Sequence, residues 1–306
     1  MAQGKDASLS CQLGVVPKAL FNKTMFAICY GGAEVRSVVR LGFVGVVVFL
    51  LGSSALSFAQ TTTTALFPEV VVGGGFSTNF TLVNTGSSAL AGNLVLTLQG
   101  TAHVNVSDLV LNKTSNFSGS SITIPISGIP SGGSMFLSAA STDSAAAGWG
   151  QVQSAGGTLG AVATFSLTSA AQLQTIAGVL SSDLVSAATI PVDDSFGQQR
   201  YTGFAVANPG SSQITIKVLE VGADGNLATA ATLTPVTLNP GQQTASFLFQ
   251  DPNAIDHNGT NFKGSAVLIG ENGATFSVVA LVQVQGTTGV LYTAIPVLPS
   301  KAPNIN

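Results

Sequence analysis

The side chains able to do chemistry are few, and the densest group is the stretch DPNAIDHNGT at residues 251–260. It places Asp251, Asn253, Asp256 and Asn258 within one short segment, and such hard oxygen ligands suit calcium. Asx side chains also cap turns by bonding their own backbone, so the same pattern serves a loop that binds nothing. Asp251, Asn253 and Asp256 are therefore the metal-ligating candidates, and calcium is the one cofactor the sequence suggests. PVDDS at 191–195 adds Asp193 and Asp194 near the middle of the chain.

Other constellations fail on parts. A hydrolase needs a base beside its nucleophile, yet the chain has two histidines, His103 and His257, and no G-x-S-x-G elbow. Both histidines fall in stretches that read as exposed loops. The glycines of VVVGGGFSTNF at 70–80 would cradle a phosphate only ahead of a helix, whereas FSTNFTLVN reads as a strand. Sugar platforms use exposed Trp or Tyr; beyond the presequence stand Trp149, Tyr201 and Tyr292, with Trp149 the ligand candidate. The expectation is a non-enzyme.

Composition says what kind of scaffold must carry these residues. Charged side chains make up 8% of the chain against about 25% in average globular proteins. Surface helices need salt-bridging Glu, Lys and Arg, so short strands joined by Gly, Ser and Asn turns fit better. The first 59 residues hold five basic and two acidic side chains, and the remainder five and eleven. A mildly acidic body without a basic run offers nothing to a phosphate backbone, which excludes nucleic acid as a partner.

RSVVRLGFVGVVVFLLGSSALSFAQ has the anatomy of a secretory signal: Arg36 and Arg40, an apolar run over 41–51, and Ser57-Phe58-Ala59 as a small-x-small cleavage site. Cleavage after Ala59 is expected, with Met1 or Met25 as the start. The alternative is an uncleaved anchor over 41–59, barely long enough for a ~30 Å hydrocarbon core. Either way the body is exported to the periplasm, cell surface or extracellular space, with no stable membrane span in the mature chain. Cys11 and Cys29 both lie in the presequence, so that body is thiol-free.

Self-comparison exposes a repeat. FTLVNTGSS at 80–88 and FAVANPGSS at 204–212 align at an offset of 124; GIPSGGS from Gly128 parallels TLNPGQQ from Thr237 at 109. The first copy thus carries about fifteen extra residues, placed in the polar, sequon-rich 101–121 as a long loop or an added hairpin. NLVLTLQ (93–99) and ITIKVLE (214–220) alternate as half-buried strands, while GAVATFSL and TFSVVALVQVQ are apolar enough for interior ones. ADGN at 223–226 is a hairpin turn, and SLTSAAQLQTIAGVL at 166–180 reads as a short helix or a strand.

The order of FP or IP, F-x-x-x-N-x-G-S-S, an alternating strand, a DGN hairpin, a P-G turn and a closing IPV resembles a β-sandwich repeat found in tandem in bacterial secreted proteins. The resemblance covers about 67–299, and that family has no assigned catalytic or binding residues. It implies an all-β chain: two tandem antiparallel immunoglobulin-like β-sandwich domains after an N-terminal signal segment. The boundaries are a presequence over 1–59, a linker over 60–66, sandwiches over 67–188 and 189–299, and a tail over 300–306. The expected function is a structural or adhesive cell-surface module that contacts an extracellular macromolecule or another copy of itself. The alternatives are a carbohydrate-binding module and a calcium-stabilised accessory domain of an exported assembly.

Overall fold

The computed structural model describes residues 62–286 and 289–300. The expected signal segment, its two cysteines and most of the tail lie outside the described residues. The first half supplies β1 (Thr62–Val72), β2 (Phe76–Asn84), β3 (Leu90–Asp108), β4 (Lys113–Ile129), β5 (Ser134–Ala140), β6 (Ala146–Ala155), β7 (Leu159–Ser169) and β8 (Gln172–Leu180). The second supplies β9 (Ala187–Asp194), β10 (Arg200–Ala207), β11 (Ile214–Gly222), β12 (Leu227–Thr232), β13 (Val236–Leu238) and β14 (Gln243–Phe247). It ends in β15 (Phe262–Gly270), β16 (Ser277–Gly286), β17 (Gly289–Ile295) and β18 (Leu298–Pro299). All strand pairs are antiparallel, so the all-β class and sandwich-compatible sheets are present. Among the described residues no helix is long and apolar enough to cross a membrane.

In the first half β1-β6-β3 carries β4 at its edge, and β5-β2-β7-β8 forms a second run. The two face each other across a core that includes Phe67, Leu82, Leu94, Leu96, Val152 and Val179. In the second half β9-β15-β11 carries β12 and β13, facing β14-β10-β16-β17 across Ile190, Ile216, Leu268, Phe276 and Val278. The central pairs are β2–β5 and β3–β6. The first strand lies beside the sixth and the seventh beside the second, whereas immunoglobulin order groups the first with the second and the seventh with the sixth.

Residues 101–121 are the added hairpin rather than a loop. β3 bulges between Thr97 and Ala102, which bends the strand from one layer to the other, where Asn105–Asp108 pair with β5. The first half's two layers thereby become one continuous eight-stranded sheet. Two further expectations change in detail, and one left open is decided. Residues 62–66, expected as linker, are strand, paired with β6 from Thr62↔Ala155 onward, and β9 begins at Ala187 rather than 189. The stretch 166–180 is a strand pair, turned at Ala170 and Ala171 with φ of 48° and 61°. That conformation is what a two-residue hairpin compatible with strand twist requires.

The two Asn-x-Gly-Ser-Ser turns carry the same hydrogen bonds. Asn84 Nδ2 donates to Ser88 O at 2.7 Å and Ile129 O at 2.9 Å, while its Oδ1 accepts from Gly86 N at 3.0 Å. Asn208 Nδ2 donates to Ser212 O at 2.8 Å and Leu238 O at 3.1 Å, and its Oδ1 accepts from Gly210 N at 3.0 Å. Each asparagine is fully buried, so its amide replaces the water those carbonyls would otherwise need. Asn84→Ala or Asn208→Ala orphans one buried carbonyl, of Ile129 or Leu238, at about 1–3 kcal/mol, while the exposed Ser88 and Ser212 carbonyls turn to water. Denaturant midpoints should therefore fall markedly for either variant, and an unchanged midpoint would refute this role.

Candidate functional site

Alternation delivers two strands into two cores at once. In β10, Phe204 and Val206 face the second-half core while Ala205 packs against the first; in β16, Val278 and Ala280 face inward while Val279 and Leu281 meet the first half. β1 matches them from the other side. Ala65 and Phe67 enter the first-half core; a bulge at Pro68-Glu69 shifts the register, so that Val70 and Val72 enter it next. The bulge accommodates Pro68, which has no donor for the ladder. It also turns Glu69 outward, toward the second half.

Glu69 thus ends in a crevice between the halves, of about 310 Å³, with Phe76, Phe165, Phe204, Phe247 and Tyr292 on its walls. The carboxylate is buried, and its Oε2 accepts a hydrogen bond from Gln243 Nε2. Burial alone pushes its pKa up to about 8. Gln99 Nε2 also donates to Gln243 O, and Trp149 Nε1 donates to Gly241 O at 2.8 Å. Trp149 is only 6% exposed, packed with Leu66 and Ala207. The sequence made it a sugar-stacking candidate; its ring is used up in packing, with no open face for a ligand.

The acidic candidates separate into two settings. Asp251 is a turn cap: Oδ1 accepts from Asn253 N and Oδ2 from Thr234 N, each at 2.8 Å, with Asn253 exposed beside it. Asp256 instead is fully buried, in the company of Asp194 and Glu220. Asp194 continues the inward stripe Ala188, Ile190, Val192, and Glu220 continues Ile214, Ile216, Val218. Period-two geometry therefore carries both carboxyls into the end of the core. Thr202 N donates to Asp194 Oδ1 at 2.6 Å and Ile255 N to Glu220 Oε2 at 2.9 Å. Glu220 Oε1 has no hydrogen-bond partner, and the Asp194 and Asp256 carboxyls meet each other, a contact that is a hydrogen bond when one of them carries a proton. Burial raises the Asp194 pKa, and the adjoining Asp256 carboxyl raises it further; burial likewise pushes Glu220 up to about 7. Among the described residues no group of three or more His, Cys, Asp or Glu is arranged to hold a metal ion.

Asp193, next in sequence, lies on the opposite face and pairs with Arg200 at 3.1 Å and Lys263 at 3.2 Å. His103, read as a loop residue, stands in β3 with its ring exposed and its Nδ1 3.0 Å from Asp143 Oδ2. His257 is in a turn, its Nδ1 3.0 Å from Phe249 O. Gly73, Gly74 and Gly75 all have positive φ and form the turn between β1 and β2, with no helix after them.

Two features escaped the sequence reading. Phe196, Tyr201, Phe247 and Phe249 form a partly exposed aromatic cluster, Tyr201 and Phe249 with centroids 4.7 Å apart. The clustered phenylalanines of SFLFQ were its one local signal. At the tip of the β3–β4 hairpin, Leu109, Val110 and Leu111 are 54%, 62% and 67% exposed. Asp108 Oδ1 accepts from both Val110 N and Leu111 N at 2.9 Å, which fixes the tip. DLVLN inside a polar stretch was legible as an apolar triplet, but its exposure was not. No protein-family model and no curated protein matches the chain.

The buried carboxyls fix a pH dependence. Glu69, Asp194 and Glu220 hold protons in the folded state that the unfolded chain releases at ordinary carboxylate pKa values, so stability is greatest at low pH and falls as pH rises through the folded values. The melting temperature should drop between about pH 5 and about pH 8, and Asp256→Asn should flatten the slope by removing a charge beside Asp194. A melting temperature that rises over that window would contradict the assignment.

Proposed function

We propose that the chain is an exported, non-catalytic adhesive or structural module, built from two copies of one immunoglobulin-like β-sandwich unit, which docks on another extracellular macromolecule or on a second copy of itself. The observation that carries the reading is the hairpin tip. Three consecutive large aliphatic side chains stand in water at the turn of the β3–β4 hairpin, pinned by Asp108 and held beside β5 by the Leu109 N to Phe136 O bond. Exposed apolar groups gathered at one place mark interaction sites. The matching hydrogen bonds of Asn84 and Asn208, and the matching strand pairings on either side of them, support the two-copy reading. The signal-like presequence supports export, and the low charge and turn chemistry are in keeping with secreted β-sandwich repeats.

The test is a paired substitution, Leu109→Ser with Leu111→Ser, in the mature chain. Binding to native envelope or matrix, or self-association by analytical ultracentrifugation, should fall at least tenfold, with the melting temperature unchanged because the tip is outside the core. Undiminished binding would refute the assignment. A carbohydrate-binding reading is favoured by one observation, the partly exposed Phe196, Tyr201, Phe247 and Phe249 cluster. Glycan-array binding that disappears in Tyr201→Ala would select that reading over the first.

A further inference from the structure

We propose that the crevice between the two halves binds a small organic ammonium ion, with Glu69 as its counter-ion and the rings of Phe76, Phe165, Phe247 and Tyr292 as its walls. A buried carboxyl ionises at low cost only where a cation meets it, and the crevice wall contains no Lys or Arg to serve. Its recorded hydrogen bond comes from a neutral amide, Gln243 Nε2. Aromatic faces attract cations through their quadrupole, most strongly where water is excluded, and a ring-lined site with a carboxylate is the arrangement that recognises quaternary ammonium groups. The volume of about 310 Å³ is at the small end for ligand sites, roughly 300–1,000 Å³. A neutral apolar ligand would fill the walls but give Glu69 no charge to ionise against, and an anion would find neither a cationic side chain nor a favourable ring face.

Proton linkage supplies a signature. Empty, the crevice keeps Glu69 protonated up to about pH 8; a bound cation favours the carboxylate, so binding expels a proton to solvent below that pH. Tyr292 is the other titratable group on the wall, and burial raises its pKa, so it stays neutral across this range. Affinity should therefore increase from about pH 6 to about pH 8.5, the opposite direction to the stability of the empty protein. This inference is independent of the hairpin tip and survives if the tip binds nothing.

The probes are choline and its uncharged isostere 3,3-dimethylbutan-1-ol, titrated into the mature chain by calorimetry at both pH values. Choline should bind at about 1 mM or tighter and roughly tenfold better than the alcohol. Its affinity should be higher at the upper pH, and binding at the lower pH should release protons. Glu69→Gln should abolish the preference for choline while leaving the fold intact by circular dichroism. Tyr292→Leu, on the last long strand, should weaken choline several-fold and serves as the reporter if the first variant does not fold. Equal binding of the two probes, no choline binding at about 10 mM, or choline affinity indifferent to both substitutions would overturn the proposal.

Discussion

A strand buried on both faces has no polar side to show to water, and β1, β10 and β16 are all in that position. Alternate residues of β10 and β16 feed two different cores, and those of β1 feed one core and the contact between the halves, so most buried positions must be apolar or small, and the backbone must find its partners within the ladder. The β14-β10-β16-β17 layer closes the second-half core with one face and receives β1 on the other. That shared layer explains how a chain with 8% charged residues and no cysteine beyond position 29 holds two halves together. It also explains the bulge at Pro68-Glu69: without a register shift, the inward stripe of β1 could not run from Ala65 and Phe67 on to Val70 and Val72.

Where such strands end, the backbone must turn without leaving buried carbonyls bare. Asn84 and Asn208 solve this with one side chain each, since a carboxamide offers two donors and an acceptor in a shape that reaches both sides of a corner. Aspartate in the same place would present acceptors to carbonyl oxygens. The bonds to Ile129 and Leu238 tie each corner to a strand 45 and 30 residues further on, so the turn fixes long-range packing as well as chain direction. The bulge of β3 does comparable work on a larger scale, bending one strand across both layers and carrying the hairpin out to its apolar tip.

Polar groups are concentrated at the margins of this apolar arrangement, and that is where function is sought. Asp194 and Glu220 stand where inward stripes run out, and Asp256 joins them from a turn. Glu69 stands where the bulge opens a crevice. All are carboxyls held away from water without a basic partner, and burial therefore favours their protonated forms. Such groups lower stability at neutral pH relative to apolar residues of the same shape. Their presence in a chain otherwise so sparing of charge directs attention to the crevice and to the acid cluster rather than to the exposed histidines.

Local pattern was enough for the parts of this protein that depend on neighbours in sequence. The inward faces of 94–98 and 214–218, the ADGN hairpin, the alignment of Asn84 with Asn208, and the strand character of the segments around 160 and 275 all follow from period-two alternation and turn chemistry. The stretch 166–180 stayed ambiguous because its apolar spacing fits either period, and pairing with β2 settled it. What needed the tertiary structure was which side of each strand meets which core. Trp149 became a buried link, Glu69 the floor of a crevice and Asp256 the neighbour of Asp194. Leu109 to Leu111 became an exposed tip. Each outcome depends on contacts between residues tens to more than a hundred positions apart, and on two bulges, of which that in β1 reverses the inward phase from Ala65 and Phe67 to Val70 and Val72 while that in β3 bends the strand between layers. Sequence fixes a side chain's chemistry and local phase; only the assembled sheets decide whether that phase points to core, crevice or water.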